Sequence, residues 1–161
     1  MSLLPIRRWP DPVLSRVCAP VAGDVSVLAA DMLETMYAAP GRGLAASQVG
    51  EAIRLFVMDV TWKEGAPDPF VCINPEILEM SEARLPGPEA CLSIPGVEAE
   101  VARAPWIVLG WTDLDGARRE ERLEGFAAIC AQHEYDHLDG IVTFDRVAPE
   151  TRSALEAAYA G

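Results

Sequence analysis

The chain has few of the features that identify membrane, secreted or nucleic-acid-binding proteins. No apolar run approaches the roughly 20 residues of a membrane-spanning helix, and residues 1–10 lack the apolar segment of a signal peptide. Only 13 residues are basic against 25 acidic ones, with no basic track for nucleic acid. The four cysteines form no Cys-x-x-Cys pair, which argues against a zinc ribbon or a disulfide framework. These absences predict a cytoplasmic protein with no membrane partner and no direct nucleic-acid site.

Histidine is also scarce, and its placement is informative. The only two histidines, His133 and His137, lie one helical turn apart on one face, so their imidazoles can converge on one ion. Glu134 lies beside the first and can exchange protons with a water at such an ion without being a ligand. A chance pair of surface histidines with a solvated glutamate is the alternative interpretation. We favour the metal site, because the histidines share an apolar stripe with Phe126, Ile129 and Cys130.

A third ligand must come from elsewhere in the chain, because catalytic zinc-like sites usually have three protein ligands. Cys130 stands seven residues before His137, roughly 10 Å along the helix axis, which is too far for its side chain. We therefore expect Cys130 to pack in the core. Cys91 lies among the glycines and prolines of residues 87–96, which fix an unusual backbone path. A thiolate held there would complete a site of two histidines and one cysteine.

The pattern of apolar residues predicts a single α+β domain over residues 1–161. Helices are expected from Asp24 to about Pro40 and over residues 124–138 and 149–159. Strands are expected at residues 53–60, 70–74, 98–103, 106–112, 117–123 and 141–144, with a hairpin turn at residues 113–116 and an exposed loop at 61–69. Antiparallel or mixed sheets would then pack around the central metal-binding helix.

Three segments in this order resemble the motifs of the peptide deformylases, the enzymes that remove the formyl group from nascent bacterial polypeptides. They are GRGLAASQ at residues 41–48, EACLS at 89–93 and QHEYDH at 132–137. Residues 11–14 and 73–75 agree as well, so the resemblance covers most of the chain. It implies the deformylase fold and the hydrolysis of a linear amide during protein biosynthesis.

The resemblance implies a metal centre with a general base. Cys91, His133 and His137 would bind one divalent ion, Fe²⁺ in the family, although the donor set also accepts Zn²⁺, Ni²⁺ or Co²⁺. Glu134 would take a proton from water and pass it to the leaving amine.

Four further residues receive roles from the resemblance. The side-chain amide of Gln48 and the backbone N–H of Leu92 would stabilise the oxyanion of the tetrahedral intermediate. Gly43 and Leu44 would hold the substrate, an N-formylated peptide. Transient contact with the ribosome is also implied, but the last predicted helix lacks the lysines and arginines expected of a segment that binds ribosomal RNA.

Three residues depart from the family pattern. Ala90 replaces a glycine beside the proposed cysteine ligand, where a methyl group would block a positive φ or crowd the substrate. Glu98 stands where an arginine is frequent, and Ser47 replaces a common proline. Two alternatives follow: a paralogue that hydrolyses another short N-acyl or formamide substrate, and an inactive metal-binding homologue. A zinc endopeptidase is less favoured, because Cys91 does not fit the usual peptidase ligands.

Overall fold

The computed structural model describes residues 2–160, which form two antiparallel sheets and three α-helices. The strands are β1 Gly43–Ala45, β2 Leu55–Met58, β3 Phe70–Met80, β4 Leu85–Cys91, β5 Ile94–Arg103, β6 Trp106–Thr112 and β7 Arg118–Glu124. The α-helices are α1 Ser26–Ala38, α2 Gly125–Leu138 and α3 Pro149–Ala160. Short 3₁₀ helices lie at Pro12–Ser15, Ala46–Val49, Trp62–Glu64 and Thr143–Arg146.

The larger sheet has five strands in the order β1-β2-β3-β6-β7, and β4 and β5 form a separate two-stranded ribbon. Every pairing of neighbouring strands in the two sheets is antiparallel. The α+β prediction is therefore confirmed. None of the helices within the described residues combines the length and apolarity needed to cross a membrane.

The core is built on both faces of β2, whose four residues are all buried. Alternate side chains of a strand point to opposite faces. Leu55 and Val57 pack with Met32 and Met36 of α1, whereas Phe56 and Met58 lie in the cluster that includes the apolar face of α2. Because β2 lies between the two helices, α2 is held in the centre of the molecule, as predicted.

The C-terminus of α2 is fixed by Gly140. This residue has φ of 74° and donates its N–H to the carbonyl of His137 at 3.1 Å. A Cβ atom at Gly140 would lie only 2.7 Å from the carbonyl oxygen of Ser15. Only glycine combines the left-handed backbone with this close approach. The helix therefore ends directly after the turn that carries its second histidine.

The strand predictions are partly wrong. Residues 141–144 do not form a strand; the chain instead enters the 3₁₀ helix Thr143–Arg146, where the Asp145 carboxylate accepts a hydrogen bond from the N–H of Val142 at 2.9 Å. β3 continues to Met80 because Asn74, with φ of 47°, and a register shift accommodate Pro75. β1 and β4 were not predicted. The hairpin at residues 113–116 is confirmed, since the N–H of Asp113 donates to the carbonyl of Ala117 at 2.9 Å.

Candidate active site

The structure brings the three predicted ligands together beneath a cavity. Cys91 ends β4, and His133 and His137 lie on the inner face of α2. All three are buried, and their potential ligand atoms lie within 4.8 Å of one another. Cys130 lies outside this cluster; its Sγ is 3.6 Å from the carbonyl oxygen of Arg42. The expectation that Cys130 packs in the core is confirmed.

The geometry of the cluster fits a metal ion. A tetrahedral ion with bonds of about 2.3 Å to sulfur and 2.0–2.1 Å to nitrogen separates those two ligand atoms by about 3.6 Å. Sγ of Cys91 lies 3.5 Å from Nε2 of His137. One thiol and two imidazoles are also a donor set typical of divalent transition metals. The residues present therefore suit a single ion.

The two imidazoles differ in their surroundings. Burial lowers the pKa of His137 well below its ordinary value, and the nearby His133 and Arg103 act in the same direction. The neutral form of histidine, which binds metals, is thereby favoured. Burial also acts to lower the pKa of His133, but Glu134 and the hydrogen-bonded Cys91 and Glu89 raise it overall. Nδ1 of His133 lies 3.0 Å from Oε1 of Glu89, which leaves its Nε2 for the centre.

Glu134 is buried and lines the cavity next to the three clustered side chains. Burial raises the pKa of its carboxyl group to about 7. Within residues 2–160, its Oε1 is buried and has no hydrogen-bond partner. A Cβ atom at residue 43 would lie 2.5 Å from its Oε2, so only glycine leaves this carboxylate in place. Gly43 and Glu134 thus meet at the cavity wall.

Gln48 lies on the other side of the cysteine, in the 3₁₀ helix Ala46–Val49. Its Oε1 accepts a hydrogen bond from the N–H of Ala45 at 2.9 Å, and its Nε2 donates to Oγ of Ser93 at 3.0 Å. The same Nε2 is 3.7 Å from Sγ of Cys91. Leu92 lies in the turn that follows Cys91 and lines the cavity. Gln48 and Leu92, the two residues predicted to supply the oxyanion donors, therefore both line the cavity.

The cavity has a volume of about 810 Å³. Gly43 lines it, but the Leu44 side chain is fully buried in the core, so Leu44 could meet a substrate only through its backbone. Phe126 was expected on the buried stripe of α2; it is instead 51% exposed and lines the cavity beneath Arg42.

Ala90 also lines this cavity, and its backbone is unstrained. Asn74 is the only non-glycine residue with positive φ in the described part of the chain. The concern that a methyl group at residue 90 blocks a positive φ is therefore wrong.

A buried network of ion pairs adjoins the three clustered side chains. The sequence interpretation did not predict it. Nε and Nη2 of Arg103 donate to the two oxygens of Glu89 at 2.8 and 2.9 Å, and Nη1 donates to Asp136 at 2.6 Å. Arg146 also contacts Asp136, at 2.7 Å. Strand alternation could have found it, because Arg103 falls on the buried face of β5 with Ala99 and Val101. A buried arginine requires carboxylate partners.

Comparisons with known proteins point to one family. A profile of the polypeptide deformylase family matches residues 3–153. A peptide deformylase from Mesorhizobium japonicum is 46% identical over 158 residues, which are 96% of this chain and 90% of the relative. One from Alkalilimnicola ehrlichii is 48% identical over 158 residues, 96% of this chain and 88% of the relative.

Solved structures agree in fold. The crystal structure of a peptide deformylase from Legionella pneumophila matches with a TM-score of 0.92 and 34% identity, covering 98% of this chain and 94% of that one. The peptide deformylase from Thermus thermophilus matches with a TM-score of 0.89 and 42% identity, covering 97% and 92% of the two chains. Since sequence and fold agree over nearly the whole length, the chain belongs to the peptide deformylase family.

Proposed function

We propose that this protein hydrolyses the formyl amide at the N-terminal methionine of N-formylated peptides, with one divalent ion held by Cys91, His133 and His137. The observation that carries the proposal is that these three clustered donors adjoin a cavity lined by Glu134, whose buried Oε1 has no hydrogen-bond partner within residues 2–160. A purely structural metal site has no use for such a carboxylate. The family membership gives the reaction.

A bound divalent ion supplies Lewis acidity, which polarises a carbonyl group and lowers the pKa of water. Cys91, His133 and His137 would hold it, and Glu89 would orient His133 through its 3.0 Å contact with Nδ1. The donor set accepts several first-row metals. We propose Fe²⁺ from the family resemblance.

Glu134 moves the proton. Its carboxylate would accept a proton from the attacking water and then deliver it to the nitrogen of the leaving amine. A pKa of about 7 suits both steps, because the group can gain and lose a proton near neutral pH. Burial on α2 keeps competing water away from it.

The chain also supplies binding groups for the substrate. β1 is the edge strand of the larger sheet, and its first residue, Gly43, lines the cavity. An extended peptide could lie along this edge and hydrogen-bond to the backbone. The Gln48 amide and the Leu92 N–H would donate to the oxygen that becomes negative when the formyl carbonyl is attacked.

Replacing Gln48 with alanine should lower kcat for a formyl peptide by about a hundredfold to a thousandfold, or about 2.7–4 kcal/mol. The loss should appear in kcat with little change in KM, because the donor acts mainly in the transition state. Steady-state kinetics of the metal-loaded variant test this. Ser93→Ala is the control: it removes the hydroxyl that Gln48 contacts but keeps the amide. An equal loss of kcat in the control would assign Gln48 a structural role.

The proposed function is tested by anaerobic turnover of formyl-Met-Ala-Ser by Fe²⁺- or Ni²⁺-loaded protein. Acetyl-Met-Ala-Ser and free formamide serve as matched substrates that differ in the acyl group or lack the peptide. A clear preference for the formyl peptide supports the proposal. Faster turnover of either alternative would favour a paralogue with another amide substrate.

A further inference from the structure

Charged side chains are unevenly distributed around the cavity. Residues 40–43 and Lys63 line it from the side of β1, and β4 and β5 line it from another side. On the first side, Arg42 is already engaged: its Nη2 lies 3.5 Å from Glu64, and its guanidinium lies over the ring of Phe126 at 5.3 Å. On the second side, the exposed charged residue that lines the cavity is Glu98.

Glu98 has no cation to neutralise it. Within residues 2–160, no lysine, arginine or histidine nitrogen lies within 4.0 Å of its carboxylate. Glu98 is exposed on β5 directly opposite Ala90 of β4, whose methyl group is too small to cover it. Glu89, the other carboxylate of this wall, is buried and paired with Arg103. Glu98 is therefore free to meet a ligand in the cavity.

The position of Glu98 sets which part of a peptide it can reach. Ala90 directly precedes Cys91, and facing residues of antiparallel strands are about 5 Å apart between Cα atoms. A glutamate side chain opposite Ala90 therefore ends on the order of 10 Å from the cysteine. An extended peptide rises about 3.4 Å per residue. A peptide with its formyl group at Cys91 that runs toward β5 would therefore bring its second or third residue to the carboxylate of Glu98.

We infer that Glu98 is a specificity-determining residue that selects formyl-methionyl peptides with lysine or arginine at the second or third position. The inference rests on the proposed function and adds a substrate preference to it. Lys63 does not cancel this preference, because its ammonium group lies on the side of β1, 5.6 Å from the ring of Trp62, and forms no ion pair with Glu98 within residues 2–160. The net charge of −12 also attracts cationic peptides to the protein as a whole.

The test compares kcat/KM for two matched pairs of peptides on Ni²⁺-loaded protein. They are formyl-Met-Lys-Ser with formyl-Met-Glu-Ser, and formyl-Met-Ala-Lys with formyl-Met-Ala-Glu. We expect a preference of about 1.5-fold to fivefold for lysine in at least one pair at low salt. Glu98→Gln should reduce this ratio toward one, and about 1 M salt should do the same to the parent. Glu120→Gln, which removes an equal charge from exposed β7, should leave it unchanged.

An equal ratio in the parent and in Glu98→Gln would overturn the inference while leaving the proposed function intact. If no formyl peptide is turned over, the proposed function fails, and binding decides the inference. Calorimetric titration of the same peptides into Glu134→Gln protein, with and without Glu98→Gln, then gives the two affinities. Tighter binding of the lysine peptide that disappears with Glu98→Gln supports the inference; equal affinities contradict it.

Discussion

Replacing Glu134 with glutamine is expected to lower kcat/KM for formyl-Met-Ala-Ser by about 10²- to 10⁴-fold without loss of bound metal. The glutamine amide has the shape of the carboxylate but cannot accept and return a proton. The metal content should persist because Glu134 is not among the three clustered donors. A neutral amide also costs less to bury than a carboxylate, so the variant should unfold at no lower temperature than the parent.

Turnover, metal content and the unfolding temperature are measured on the same preparations. Together they distinguish lost proton transfer from lost metal and from lost stability. Glu82→Gln, at an exposed position outside the cavity, is the matched control and should match the parent in all three. A Glu134→Gln protein that keeps its metal and its full activity would rule out proton transfer by this residue. Loss of metal along with activity would instead make Glu134 a contributor to the metal site.

The helices could be predicted because their signals are local. The apolar spacing and Gly140 fix the end of α2, and the residue types at 133, 134 and 137 have a specific chemical use. The glycines and prolines around Cys91, together with the resemblance, then supplied the third ligand, which lies far from α2 in sequence. Spacing alone could not have placed Cys91 beside the two histidines, because that contact depends on the tertiary fold, which brings the end of β4 to His137.

The strands were harder to predict because two of them contradict local preferences. β4 contains two prolines and a glycine, and its strand form depends on pairing with β5 rather than on its own sequence. β3 passes through Asn74 and Pro75, which resemble a turn when read alone. In contrast, residues 141–144 have the apolar, β-branched composition of a strand, but no strand in the described part of the chain pairs with them.

Replacing Arg103 with methionine is expected to destabilise the protein by about 3–5 kcal/mol at neutral pH. The side chains of Arg103, Glu89 and Asp136 are each less than 10% exposed, so the substitution leaves two buried carboxylates without their shared cation. Burial alone would raise the pKa of Glu89, but hydrogen bonds from Arg103 and His133 hold it below its ordinary value. Arg146 and His133 compensate only in part, because each contacts only one of the two carboxylates.

The pH dependence of this loss distinguishes lost ion pairing from lost packing. Because the folded-state pKa of Glu89 is lowered in the parent, its contribution to stability is present above the ordinary carboxyl pKa and disappears as the pH falls through the lowered value. In the variant, burial without the arginine should raise the pKa of Glu89, which should take up a proton on acidification. The difference in unfolding free energy between parent and variant should therefore be largest near neutral pH and shrink below about pH 5.

Urea unfolding of metal-free parent and variant across this pH range measures the difference. Arg103→Lys keeps the charge but cannot bridge both carboxylates through a planar fork, so it should lose less than Arg103→Met but remain weaker than the parent. Arg119→Met removes an arginine from the solvent-exposed pair with Asp113, where little or no loss of stability is expected. Equal losses from Arg103→Met and Arg119→Met, or a loss independent of pH, would contradict the role of the network. A large loss that shrinks on acidification would mean that Arg103 stabilises the fold through its ion pairs with Glu89 and Asp136.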